Sequence, residues 1–491
     1  MKYRVKQIVI VCIVMIFCSA CFNRNEKLSK ITLKYACNMN YNDETPFVKE
    51  LEKKTGINLE FVNIFYDNID EKMQLLYLTD SLPDIIENTW SQVDGGAVGA
   101  YRRGYIMRLD DLIEKYSPNL REYLAAHPQV EKNVRLDDGY YVYPFIRGDE
   151  RLNVYNGLCI RTDWLQQSGL SVPETLDEWH NVLQTFKRKY NCKTPIALKA
   201  GSSDFVYAYG IINNFYINNG EVFYGYMQPE YKEYLQMMNQ WYNEGLLGEN
   251  YPNEVYDVAY RMFEDEACGA LATTAGYGIG SILKLGINVE GAPVPVKNKG
   301  QRPFAGQYDS EMVNVGAVAI SSGCKNPEAA ARFLDYGYGE EGMLLYNFGV
   351  YGESYIMSDE GPRYTDKIMK SRNIGDEMSK YLRGLTSGPF VQMWEYMDQY
   401  TSQPEQKRAL ERWMQTDAAE HTLPELTFTQ EENEILSMLS FNEYAKEMEL
   451  NFILGITDFS EFDNYLAELS KRGADKALEI YRLAYKRYCS R

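Results

Sequence analysis

Apolar and polar positions change period several times along this chain, and each change marks a predicted element. Lys2, Arg4 and Lys6 precede an apolar run from Ile8 to Phe17, and the sequence turns polar from Cys21 through FNRNEKLSK. A basic start followed by a short apolar run is the pattern of a secretory signal. The run falls short of the roughly 20 apolar residues that span a bilayer. Small residues must precede a cleavage site. Ser19 and Ala20 supply them if the cut falls before Cys21, whereas a cut before Cys18 would follow Phe17. ITLKYACNM then alternates with period two and predicts a strand. PFVKELEKKTG has apolar residues at helical spacing and stops at Gly56. INLEFVNI predicts a second strand, so this part opens strand–helix–strand, as a parallel α/β layer does.

An amphipathic helix, IDEKMQLLYLTD, follows, and SLPDIIENTW predicts a turn and a short buried strand. Gly95, Gly96 and Gly99 open a loop after it. GYIMRLDDLIEKYSPNLREYL has a strand-like start and a helix ended at Ser117-Pro118, and DGYYVYPFI predicts a turn and an aromatic strand. Two helices meet around Pro173, the second capped by Thr175 with Glu178 as its capping-box partner. Tyr207 to Gly225 reads as loops with a hairpin, and PEYKEYLQMMNQWYNEGLL as a helix. EVYDVAYRMFEDEACGALATTAGYGIGSI predicts a helix, a short strand and a Gly-rich turn. VNVGAVAISSGCKNPEAAARFLDYGYGEEG predicts a strand, a turn at Asn326-Pro327 and helices, and the chain is mostly helical beyond Pro404. No internal repeat or low-complexity tract interrupts this order.

The chain has 491 residues, too many for one compact domain. Its formal charge of −18 disfavours nucleic-acid binding by bulk electrostatics, and loss of the signal removes three more positive charges. Cys37, Cys159, Cys192, Cys268, Cys324 and Cys489 are scattered, with no CxxC pair, so a zinc site is not expected. Free or buried thiols fit that spacing, and one long-range disulfide stays open. His127, His180 and His421 lie in or beside helices, and no G-x-S-x-G, H-E-x-x-H or phosphate-loop motif accompanies them. GYGIGSI lacks the full pattern of a dinucleotide loop. Asp110-Asp111 reads as a helix N-terminus, and Asp137-Asp138 is uninformative in so acidic a chain. No cofactor, metal or catalytic residue is expected. A polysaccharide-cleaving enzyme, with two carboxylates facing one bond, is the rival class.

The end of the signal resembles a bacterial lipoprotein signal, whose last residue is a lipid-modified cysteine. That resemblance implies lipidation at Cys21, although Cys18 stands where leucine is usual. Further along, ELEKKTGINLEF, SLPDIIENTW, RLDDLIEKYSPNL, DGYYVYPFI, IRTDWLQQSGLSVPETLDEW, KNPEAAARFLDYGYGEEG, LYNFGVYGESY and the tail DNYLAELSKRGADKALEIYRLAYKRY occur in this order. Together they resemble the family 1, carbohydrate-type, extracellular solute-binding proteins of bacterial ABC importers. The resemblance implies a two-lobed α/β fold of the periplasmic-binding-protein type II, with a hinge, a cleft between the lobes and a helical C-terminal part. The implied layout is a signal over 1–20, a tether over 21–30, an N-terminal lobe from 31–148 plus about 312–350, and a C-terminal lobe from 149–311 plus about 385–491. A lipid-anchored, monomeric protein on the extracytoplasmic face of the cell membrane is implied, with ABC permease subunits as partners. Some members carry an Asp/Asn-rich loop similar to a calcium site. FKRKYNCKTPIAL stands there instead, with Lys187, Arg188, Lys189 and Lys193 and no acid, so no calcium is expected.

A sugar offers an apolar face and a rim of hydroxyls, which aromatic rings and polar side chains complement. Ligands of such folds meet loops at strand ends near the lobe junction. That rule selects Trp90, Tyr277, Tyr207, Tyr209, Asp204, Tyr308, Asp309, Trp394 and Arg151 as ligand-binding candidates. Trp164 and Trp179 fall at apolar helix positions and read as core, and Tyr481, Tyr485 and Tyr488 read as packing in the last helix. The expected ligand is an oligosaccharide, with a peptide or another small solute as the alternative.

Overall fold

Alternation in TLKYAC places Leu33, Tyr35 and Cys37 in the core, and Thr32–Cys37 lies inside a four-stranded sheet. It pairs in parallel with Asn58–Asn63 on one side and Ile85–Asn88 on the other. Ala317–Ile320 returns antiparallel beside Ile85–Asn88. Pro46–Thr55 connects the first two strands. Thr45 Oγ1 accepts from the Val48 N–H at its start, and Gly56 ends it at φ 71°, in the left-handed region that glycine tolerates. The computed structural model describes residues 31–37, 44–63, 69–136, 139–248, 251–252, 267–309, 317–383 and 387–491. The signal, Cys21, the tether, the helix expected over 254–266 and Asp137-Asp138 lie outside the described residues.

A second sheet centres on Asn156–Arg161, antiparallel to both Ala270–Thr274 and Val289–Gly291. Thr175 caps Leu176–Lys189 with the expected capping box, and Trp179, Val182, Leu183 and Phe186 form its buried face. The Gly-rich stretch expected as a turn after Thr274 is instead a single wide helical turn, Ala275–Ile279. Thr274 Oγ1 accepts from the Gly278 N–H within it, and Gly280–Lys284 continues the helix. The strand-like start at Gly104 reduces to one bridge, Ile106 to Ser321.

Two principal cores result. One gathers residues from 33 to 146 and from 317 to 346, with Phe390 and Val391. The other gathers residues from 158 to 292 and from 441 to 477. The fold is thus two-lobed α/β, with a long helical C-terminal part. Trp164 and Trp179 are buried in the second core, as their apolar spacing suggested. Between the lobes, Phe145–Arg147 and Phe390–Gln392 run in parallel as neighbouring crossings. They pass so closely that a Cβ on Gly148 would sit 2.7 Å from Val391 Cγ1 and 2.8 Å from Gln392 O.

Lys187 and Lys189, in the last turn of the Leu176–Lys189 helix, donate to the Glu244 and Gln167 carbonyls respectively. Both carbonyls lie at helix C-terminal ends, where a cation satisfies oxygens left without an intrahelical partner. Among the described residues no group of three or more His, Cys, Asp or Glu side chains could hold a metal. The described cysteines are free thiols.

A buried charge pair anchors the approach to the last crossing. Arg383 Nη2 donates to Glu87 Oε1 at 2.5 Å and to Ser387 Oγ at 3.1 Å, and the Tyr35 hydroxyl donates to Glu87 Oε2 at 2.6 Å. Arg383 is 5% exposed and Glu87 6%. Breaking such a pair strands a charge away from water, whereas neutralising both ends does not. Arg383→Met is expected to cost about 3–5 kcal/mol in urea unfolding. The double variant Glu87→Gln/Arg383→Met should recover most of that loss. Equal loss in the single and double variants would contradict this reading.

Candidate functional site

Loops of the second lobe enclose a cavity of about 740 Å³ beside the crossings. That volume suits a small ligand. One wall is Leu198–Asp204 with Tyr207, the hinge side supplies Gln307–Asp309, and the C-terminal part supplies His421–Leu423 and Tyr481. Phe215 and Tyr481 form an aromatic floor, their rings stacked at 3.8 Å and 9°. Tyr481 and Leu423 also border an adjoining cavity of about 320 Å³, whose far wall is Ser91–Val98 of the first lobe. Leu423 and Tyr481 thus stand between the main cavity and a space bordered by the first lobe.

At one flank the last helix reaches the first lobe. The Tyr488 hydroxyl donates to Asn133 Oδ1 at 2.7 Å and accepts from Gln129 Nε2 at 2.8 Å, with Lys132 Nζ 4.2 Å from the ring centre. Tyr488 is thus a packing residue, as expected, but it packs across the lobes.

Polar groups in the main cavity are held in place. Asp309 Oδ2 meets Arg147 Nη2 at 3.1 Å, and its Oδ1 accepts from Gln307 Nε2 at 3.2 Å. Gln307 Oε1 in turn accepts from the Tyr155 and Asn156 amides. Asp204 accepts from the Ser202 hydroxyl, and burial pushes its carboxyl above the usual carboxylate range. Burial, then the charge of Asp204, raises the Tyr207 hydroxyl, so it stays protonated at neutral pH. Asn156 lines the cavity, and its Oδ1 is buried without a hydrogen-bond partner.

Of the residues selected from the sequence, Asp204, Tyr207, Tyr308 and Asp309 come together here. The others do not. Trp90 is fully buried, and its indole N–H donates to Ala317 O at 3.0 Å, so the ring packs the first core. The loop just after it, not the ring, reaches the cleft. Tyr209 faces the other way, under Lys297 at 4.2 Å and against Tyr234 at 6.1 Å. Arg151 is held by Asp149, and its guanidinium lies 4.3 Å over Trp394, so these two candidates satisfy each other at the first crossing. Tyr277, 53% exposed, borders a separate space of about 190 Å³ with Tyr400 and Gln406. Sequence reasoning missed Asn156, Phe215 and His421 and assigned Tyr481 to packing alone. His421 Nδ1 pairs with Ile217 O at 2.8 Å, and its ring stacks on Phe304 at 3.6 Å.

Behind the Gly201–Asn214 loop lies a further chamber of about 600 Å³, bordered by Tyr226, Lys446 and Glu449. Glu449 is 3% exposed, and neither carboxylate oxygen has a hydrogen-bond partner. Burial pushes its carboxyl up to about 7. The nearby Tyr231 and Tyr226 hydroxyls, the Gly201 amide and Lys446 oppose that rise without closing to hydrogen-bond geometry.

A two-lobed fold with a polar cavity beside the strands that join the lobes fits a solute-binding protein. The chain belongs to the bacterial extracellular solute-binding proteins, whose family model matches residues 41–344. It is 24% identical over 476 residues to the fructooligosaccharide ABC transporter substrate-binding protein FusA of Streptococcus pneumoniae serotype 4, covering 91% of this chain and 87% of that protein. It is 25% identical over 240 residues to the polygalacturonan/rhamnogalacturonan-binding protein YtcQ of Bacillus subtilis, 46% of each chain. Among solved structures, the alginate-binding protein AlgQ2 without calcium ion superposes with a TM-score of 0.77 at 22% identity, covering 93% of this chain and 98% of that one. The EF-hand mutant of S. pneumoniae FusA in complex with fructo-nystose gives 0.75 at 21% identity, covering 94% and 99%. Members of this family act outside the cytoplasm. Among the described residues no helix is long and apolar enough to cross a membrane.

The buried carboxylate has a pH signature. Folding raises the proton affinity of Glu449 above its ordinary value of 4.5, so the folded state binds more protons than the unfolded chain between about pH 4.5 and 7. Its contribution is favourable at low pH and is lost as pH rises through that window. The facing tyrosines (Tyr226, Tyr231, Tyr234, Tyr251 and Tyr465) are all raised and do not change charge there, and Lys446 borders the same space. Glu449→Gln should therefore stabilise the protein more at pH 8 than at pH 5, by up to about 3 kcal/mol in denaturant titrations. An equal effect at both pH values would contradict this.

Proposed function

We propose that this protein captures an oligosaccharide in the cleft and delivers it to the transmembrane subunits of an ABC importer, held at the outer membrane face by lipid on Cys21. The observation that carries this reading is the Phe215–Tyr481 stack lining a cavity whose rim includes Asn156, Asp204 and Asp309. A flat aromatic surface suits the apolar face of a sugar ring, and fixed acceptors suit its hydroxyls. The relatives named for fructooligosaccharide and for polygalacturonan or rhamnogalacturonan support the class of ligand. A basic, apolar and small-residue sequence ending at Cys21 supports the anchor.

A thermal-shift screen over neutral and acidic oligosaccharides and short peptides tests the ligand class, because a ligand that binds only the folded state raises Tm. Saccharides are expected to raise Tm and peptides to leave it unchanged; the reverse would favour a peptide carrier. With the responding sugar, Tyr481→Ala and Tyr207→Ala should each weaken affinity by about tenfold, corresponding to the lost ring contact. Unchanged affinity in folded variants would place the ligand elsewhere. Loss of palmitate incorporation in Cys21→Ser reads the anchor in the same strain.

A further inference from the structure

The chamber behind the ligand loop is chemically unlike the main cavity. Its carboxylate, Glu449, sits among aromatic rings with both oxygens unpaired, although Lys446 lines the same space. Tyr207, Tyr226 and Tyr251 line the chamber, and behind them Tyr226 meets the Tyr231 ring edge to face at 5.0 Å and 69°. A buried carboxylate without a partner is among the least favourable groups a fold can carry, so the chamber has an unmet demand for positive charge. A divalent metal would require several anionic ligands, and the described residues offer no such group. An organic ammonium fits better. It takes one carboxylate as counter-ion and aromatic faces as the rest of its shell.

The chamber shares a wall with the main cavity. Gly201, Ser203, Tyr207 and Asn214 line both, so one loop separates the two spaces. An amine borne by a ligand in the main cavity could reach Glu449 past that loop.

We propose that this chamber binds a protonated primary amine, carried by an amino-sugar unit or by a free small amine, with Glu449 as its counter-ion. The amino-sugar form rests on the saccharide reading of the main cavity; the free-amine form does not.

The test uses the full chain and matched pairs of probes. Propylamine is compared with propanol by thermal shift, and a glucosamine trisaccharide with its N-acetylated counterpart by calorimetry. Propylamine at millimolar concentration should raise Tm where propanol does not, and the shift should vanish in Glu449→Gln. If the amine arrives on a sugar, the glucosamine trisaccharide should bind about tenfold more tightly than the acetylated one. That ratio should collapse towards unity in Glu449→Gln. No difference between propylamine and propanol, together with equal trisaccharide affinities, overturns the proposal. An amine preference that persists in Glu449→Gln also overturns it. Should that variant fail to fold, the paired probes on the unaltered protein still decide. Neutral-sugar binding without amine preference defeats only the chamber proposal, and amine binding without any neutral-sugar binding defeats only the saccharide reading.

Discussion

Arg147 and Asp309 join the part of the structure that crosses between lobes to the part that meets the ligand cavity. The arginine leaves the Phe145–Arg147 strand with its side chain 6% exposed, donates to the Leu152 carbonyl and to Asp309, and lies 5.0 Å over the Tyr155 ring. Asp309 borders the cavity, and its amide donates to Asn153 O at 2.9 Å. A buried ion pair adds little net stability, but it fixes geometry because breaking it leaves a stranded charge. The loop carrying Tyr308 and Asp309 therefore cannot move freely relative to the first crossing. Asp309 thus ties the wall of the cavity to the crossing strand through Arg147.

Loops supply much of the cleft, joined by Asn156 at the start of the Asn156–Arg161 strand and Tyr481 on the last helix. Leu198–Asp204 and Gln307–Asp309 line the main cavity, and Ser91–Val98 lines the adjoining one. Tyr488 bridges the lobes away from the crossings, which gives the two halves a second point of contact with directional hydrogen bonds. At the crossings Gly148 is close-packed, because Val391 and Gln392 leave no room for a side chain there.

Much of the architecture was legible from periodicity. The strand–helix–strand opening, the capped helix after Thr175 and the return strand of Ala317–Ile320 follow from local patterns that tertiary packing preserves. The cavity was legible only in part. Asp204, Tyr207, Tyr308 and Asp309 were found because they sit in loops flanked by strand or glycine signals. Trp90 was misplaced because the end of a buried strand looks the same whether the ring turns inward or outward. Tyr481 lies at helical spacing with Tyr485 and Tyr488, so its double role, stacked on Phe215 and open to the cleft, depends on a partner more than 250 residues away. Asn156 carries no sequence signal at all; only its unpaired oxygen marks it.

The central claim is that the ligand lies against the Phe215–Tyr481 stack, beside the hinge-held Asp309. A crystal structure with a bound oligosaccharide tests it most directly. The account predicts a sugar ring in van der Waals contact with Tyr481 or Phe215 and a hydroxyl within hydrogen-bond distance of Asn156 Oδ1 or Asp309. A saccharide seated instead against Tyr277 and Tyr400, or against Trp394 and Arg151, with the main cavity empty, would contradict it.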